Sequence, residues 1–161
     1  MKKITTWLWF ETEAEAAARF YASVFRNTQL GDIVRAPGGG EPHTQEGQVL
    51  TAGVTIEGHT FVCLNGGLHP GAQRSDSVSF QIQCKDQVEV DEYWNKLTVD
   101  GGQEVQCGWV KDKYGFSWQI VPEILLRLTA DPDREKAARV NAAMMKMIKL
   151  DIAALEAAAK G

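Results

Sequence analysis

Residues 77–84 read Ser-Val-Ser-Phe-Gln-Ile-Gln-Cys, small or polar side chains alternating with apolar ones. That period of two belongs to a strand with one face buried and one face wet. Downstream, Val90, Tyr93, Trp94 and Leu97 recur at helical spacing and predict a helix from about Gln87 to Leu97. Strands over 103–110 and 116–121 follow, with a turn from Asp112 to Gly115. Upstream, Ile-Thr-Thr-Trp-Leu-Trp-Phe over 4–10 is rich in β-branched and aromatic residues, as strands are. Ala17, Phe20, Tyr21 and Val24 then mark a helix running to about Phe25, with Thr12 and Glu15 at the spacing of a capping box. Strands over 29–35, 47–57 and 59–65 come next, the last two joined at Glu57-Gly58. The prolines and glycines around 36–46 predict a flexible loop, and 66–76 reads as a linker.

A shift of 73 residues brings the two halves into register, placing Thr6 on Ser79, Trp7 on Phe80, Phe20-Tyr21 on Tyr93-Trp94 and Val24 on Leu97. Near the end of each half, Gly58-His-Thr-Phe-Val-Cys-Leu matches Gly115-Phe-Ser-Trp-Gln-Ile-Val. The pattern predicts an α+β chain built from a duplicated βαβββ unit, with half-repeats at about 3–66 and 77–122 in a single domain. Beyond them, Asp131-Pro132 carries the marks of a helix start, with Asp as cap and Pro at the first helical position. Ala137, Val140, Met144, Met147 and Ile148 form an apolar stripe, and Asp151 is placed to cap a last short helix, so that helices fill about 123–160. That stripe suits packing, either on this chain's own sheet or on a partner's.

Bulk properties narrow the function. The 161 residues suffice for a buried core without disulfides, and a net charge of −4 with no Lys/Arg-rich stretch gives no footprint for nucleic acid. No window approaches the ~18 apolar residues of a membrane span, and the start lacks the apolar segment of a signal peptide. Cys63, Cys84 and Cys107 are odd in number and far apart, which fits buried thiols in a reducing compartment, the cytoplasm.

Three segments carry a resemblance to a known family: Leu64-Asn65-Gly66-Gly67; Cys107-Gly108-Trp109 through Tyr114-Gly-Phe-Ser-Trp-Gln-Ile-Val-Pro122; and Asp131-Pro-Asp-x-x-Lys-Ala-x-Arg-Val140. With the early Trp-Phe and Ala-x-x-Phe-Tyr pattern they resemble the PhnB-like family of the glyoxalase/bleomycin-resistance/dioxygenase (vicinal oxygen chelate) superfamily. The resemblance implies paired βαβββ modules curled into a mixed-sheet cup, usually in a homodimer. Many members are labelled demethylubiquinone methyltransferase. This chain has no glycine-rich strand-to-helix turn for a nucleotide-type cofactor, and Gly38-Gly39-Gly40 follows Pro37 in a loop rather than opening a helix.

Superfamily enzymes hold a divalent metal with His, Glu or Gln from the first and last strand of each half. The resemblance carries those positions onto Thr6, Val62, Ser79 and Gln119, which offer no formal negative charge, so the expectation is no bound metal and no cofactor. Strand alternation points Ser79, Gln81, Gln83, Ser117 and Gln119 into the cup, with Thr6, Leu8 and Phe10 facing in from the first strand. The ligand-lining candidates are therefore Thr6, Leu8, Ser79, Gln81, Trp109, Ser117 and Gln119. They suit a neutral polar or amide-like small molecule and include no evident general acid, base or nucleophile. His43, His59 and His69 lie in or beside loops at no metal spacing, and Lys111, Asp112 and Lys113 read as a solvated hairpin tip. Three functions stay open: a metal-free binding protein, a metal-dependent lyase, isomerase or dioxygenase, and an interaction protein working through its C-terminal helices.

Overall fold

In a computed structural model, residues 3–40, 42–69, 71 and 74–161 are described. The chain forms two compact units, 1–73 and 74–161. In the first, β1 (Thr6–Phe10), β4 (His59–Asn65), β3 (Val49–Ile56) and β2 (Thr28–Arg35) form a sheet in that spatial order. β1 runs parallel to β4, and the other pairs are antiparallel. Helix α1 (Ala14–Val24) buries Ala14, Ala17, Ala18, Tyr21 and Val24 on one side. Beneath them lie Leu8, Phe10, Ala52, Val54, Phe61 and Cys63. Each large apolar side chain so buried contributes about 1.5–3 kcal/mol.

The capping box expected at Thr12 and Glu15 does not form. Glu13 takes the cap position without a capping side-chain bond, and the Ala14 N–H donates instead to Asn65 Oδ1 at 2.8 Å. The loop between β2 and β3 is also tied down, by Ala36 N–H to Gln48 O and Gly47 N–H to Ala36 O.

In the second unit, β5 (Phe80–Cys84), β8 (Ser117–Pro122), β7 (Trp109–Lys111) and β6 (Gln103–Glu104) form the sheet, with β5 parallel to β8. Helix α2 (Gln87–Leu97) buries Val90, Tyr93, Trp94 and Leu97. Asp86 caps it by accepting from Glu89 N–H, and Glu89 reaches back to Lys85 N–H. The single strand expected over 103–110 is broken by a turn at 106–108, where Cys107 and Gly108 have φ of 60° and 83°. The reason is a remote one. Their N–H groups donate to Met147 O and Ile148 O, both at 2.8 Å, rather than to the sheet.

The chain then continues as α3 (Glu123–Thr129), α4 (Arg134–Met144) and α5 (Ile152–Lys160). α4 starts later than the Asp131-Pro132 signal suggests, because Asp133 is the residue that accepts from Glu135 and Lys136 N–H. Asp131 instead accepts from Asp133 N–H and pairs with Lys136. Met147 and Ile148 fall outside the helix. Asp151 caps α5 through Ala154 N–H. Val121, Leu125, Val140, Leu150 and Leu155 make one buried cluster, so these helices pack on their own chain.

The duplication has one slip in it. Thr6 pairs with Phe61 as Phe80 pairs with Trp118, so the strands correspond at a shift of 74 while α1 and α2 correspond at 73. Three residues, 11–13, join β1 to α1, but only two, 85–86, join β5 to α2.

Candidate functional site

Each sheet has one face covered by its helix and one left open. In the first unit the slip reverses the facing expected for β1. Leu8, 3% exposed, and Phe10 lie under α1, and Thr6 shares their side, hydrogen-bonded to His59 Nε2 at 2.9 Å. The open face carries Trp7, directly opposite Val62, and then Trp9, opposite Leu64. Trp7 is 57% exposed. Trp9 is fixed by its indole N–H, which donates to Gly67 O at 2.8 Å, and by Gly66, where a Cβ would stand 2.2 Å from the ring.

In the second unit the facing of β5 and β8 follows the sequence alternation. Phe80, Ile82 and Cys84 share the helix side with Trp118 and Ile120, while Gln81, Gln83, Ser117 and Gln119 take the other. Gln81, Gln119 and Trp109 stand opposite one another in one row across β5, β8 and β7. Gln119 Nε2 donates to Ser79 Oγ at 2.8 Å. The next row holds Ser117 and Lys111. Ser117, 3% exposed, donates to Asp76 Oδ1 at 2.7 Å, and Lys111 Nζ lies 3.1 Å from the same oxygen. The Ser117 hydroxyl and the Lys111 ammonium hold the Asp76 carboxyl below its ordinary range, so Asp76 is a charged tether and a poor base.

The metal positions that the family implies do not fit a divalent cation. Register puts Trp7 rather than Thr6 beside Val62 on the open face, and Gln81 beside Gln119. Neither pair offers a carboxylate or an imidazole to offset the desolvation of a cation. Among the described residues no group of three or more His, Cys, Asp or Glu stands close enough to hold a metal. His59 is engaged by Thr6, and His69 accepts from Gly71 N–H at 3.0 Å.

Other polar residues are structural. Asp112, expected at a solvated hairpin tip, is 2% exposed. Its Oδ1 accepts from Tyr114 and Phe116 N–H and its Oδ2 from Trp118 Nε1. A cleft of about 540 Å³ opens beside the start of α1, lined in part by Glu11, Glu15, Arg19, His43, Thr44 and Asn65. Much of its polar wall is already committed, Glu15 to Arg19 and Thr44 to Asn65 O. No helix among the described residues is long and apolar enough to cross a membrane.

Comparison with known proteins places these features. Residues 2–121 match the family described as 3-demethylubiquinone-9 3-methyltransferase. The PhnB protein of Bacillus cereus is similar at 32% identity and a TM-score of 0.65, over 75% of this chain and 99% of that one. A Pseudomonas aeruginosa protein matches at 16% identity and TM-score 0.61, over 76% and 98% of the two chains. An Arabidopsis thaliana gene product matches at 20% and 0.50, over 75% and 98%. These last two show a shared fold. No match was found among curated proteins.

Proposed function

Because the chain belongs to the 3-demethylubiquinone-9 3-methyltransferase, or PhnB-like, family, we propose that it is a small-molecule-binding protein of the glyoxalase/bleomycin-resistance type that works without a bound metal. One observation carries this reading: the open face of the second sheet presents a row of uncharged hydrogen-bonding side chains, Gln81 and Gln119, ending in Trp109. Such a row suits a neutral polar molecule, which brings its own donors and acceptors and needs no counter-charge.

Methyl transfer fits less well. Nucleotide-type cofactors favour the strand-to-helix turns of a doubly wound parallel sheet, whereas each sheet here has a single parallel pair. The interaction reading is the weaker one, since Val140, Met144 and Met147 of the C-terminal stripe pack in the chain's own cluster and Ile148 alone of its large side chains stays exposed. Three free thiols accord with a reducing compartment, and we read the protein as cytoplasmic. The exposed apolar Leu30, Ile33 and Val34 of β2 favour a homodimer.

The test is thermal unfolding of chelator-treated protein, then with Zn²⁺, Ni²⁺, Mn²⁺ and Fe²⁺ in turn. No metal is expected to raise the melting temperature. A native-state ligand at 100 times its Kd adds about 2.7 kcal/mol. A gain of that order from any one metal would overturn the metal-free reading in favour of a metal-dependent lyase, isomerase or dioxygenase.

A further inference from the structure

The open face of the second sheet is bounded at both ends. At one end Asp76 straps the chain ahead of β5 onto Ser117 and Lys111. At the other, Val121, which alternation puts on the same side as Gln119, is only 6% exposed because Leu125, Val140, Leu150 and Leu155 close over it. The family model matches residues 2–121, and that second wall is built by the residues after them. Its seat is specific. Cys107 and Gly108 N–H donate to Met147 O and Ile148 O, Gln87 bonds both Leu150 O and Ile152 N–H, and a Cβ at Gly108 would meet Leu150 at 2.8 Å. What stays open between the walls is the row of Gln81, Gln119 and Trp109, with Gln83 exposed beside it on β5.

Strands stand about 4.8 Å apart, so the row is about 10 Å long. Gln119 has committed its Nε2 to Ser79 and keeps Oε1 as an acceptor. Among the described residues the Gln81 carboxamide and the Trp109 indole N–H have no hydrogen-bond partner. The row thus offers adjacent donors and acceptors, no net charge, and a flat aromatic neighbour. Resting on the binding reading above, we infer that this slot takes a planar cyclic amide or imide. The ring plane is matched to the Trp109 indole, and the alternating N–H and C=O edge is matched to the two carboxamides.

The experiment follows the side-chain NH₂ signals of Gln81 and Gln119 and the indole N–H of Trp109 by NMR during titration of the full chain. The probes are uracil and phthalimide, which have plane and imide edge; cyclohexanecarboxamide, which has an amide without a plane; and benzyl alcohol, which has a plane without an amide. The expected result is saturable shifts with the two imides alone, weakened about tenfold by Gln81→Leu, a change at an exposed position, and again by Trp109→Leu. Equal or stronger binding of cyclohexanecarboxamide or benzyl alcohol at the same signals would overturn the ligand class while leaving a small-molecule site in place. Silence of the three signals to every probe would overturn the slot. A metal-induced shift in the unfolding scan would instead strike the reading beneath it.

Discussion

Asn65 and Ala14 are joined across the first unit by a 2.8 Å hydrogen bond from the Ala14 N–H to the Asn65 side-chain oxygen. The same carboxamide donates from Nδ2 to Val49 O at 2.9 Å, and the Asn65 backbone oxygen accepts from Thr44 Oγ1. One buried side chain at the end of β4 thus supplies the missing cap of α1 and satisfies a carbonyl of β3.

Asn65→Ala removes both bonds and leaves a helix N–H and a carbonyl without partners in a buried place, a loss of about 2–3 kcal/mol. Asn65→Asp keeps the acceptor for Ala14 but sets a second oxygen against Val49 O, and recovers less than half of that loss. Urea unfolding of the two variants against the parent checks the order. An Asn65→Ala midpoint equal to the parent's would show that water replaces the cap.

Asp112 plays the corresponding part in the second unit, with three N–H donors converging on one buried carboxylate. Asp112→Ala orphans all three and costs about 3 kcal/mol or more. Asp112→Asn retains one accepting oxygen and falls between. Thermal unfolding reads the difference, and the near-ultraviolet circular dichroism of Trp118 reports whether its ring has turned.

These residues also show where reading the sequence stops. Over 78–84 the polar and apolar side chains alternate, so the facing of Gln81 and Gln83 could be read directly. Over 6–10, Thr-Trp-Leu-Trp-Phe is apolar on both faces and carries no such signal, so nothing local marks the extra connector residue before α1 that turns Leu8 under the helix. Asn65 as a cap, and the break at Cys107, depend on partners about 40–50 residues away. Local spacing has no access to contacts of that kind. Asp112 differs, for its partners are local: a charged residue between two lysines reads as solvated until the turn folds the N–H groups of Tyr114 and Phe116 and the Trp118 indole onto it.

The C-terminal segment is held partly by charge. Lys149 Nζ lies 2.6 Å from Asp91 Oδ1, and this contact, followed by the Gln87 amide, lowers the Asp91 carboxyl from its ordinary 3.8. A group depressed in the folded state stabilises above its unfolded value and loses that contribution as the pH falls through the folded one. Both partners are about two-fifths exposed, so the contribution is about 0.5 kcal/mol. Asp91→Asn is therefore expected to lower stability by that amount at pH 7. The deficit should fade as the pH drops below about 4, near the unfolded carboxyl's value. Urea midpoints of both proteins from pH 7 to pH 2.5 measure it, and a deficit that grew on acidification would show that Asp91 works through something other than its charge.

The thiols separate by burial. Cys63 and Cys84 are fully buried, and loss of solvation pushes each thiol up to about 12, which leaves almost no thiolate near neutrality. Cys107 is partly exposed in the turn between β6 and β7, its Sγ 3.8 Å from Met145 Sδ. A disulfide-exchange reagent at pH 8 is expected to titrate one thiol in the native protein and three after unfolding in denaturant. Cys107→Ser removes the native reaction and leaves the other two hidden. The backbone there stays in its left-handed turn through the bonds to Met147 and Ile148, so this variant should melt within about 1 kcal/mol of the parent. Rapid native reaction of a second thiol would mean that one of the two helix-covered sheet faces opens far more often than its packing implies.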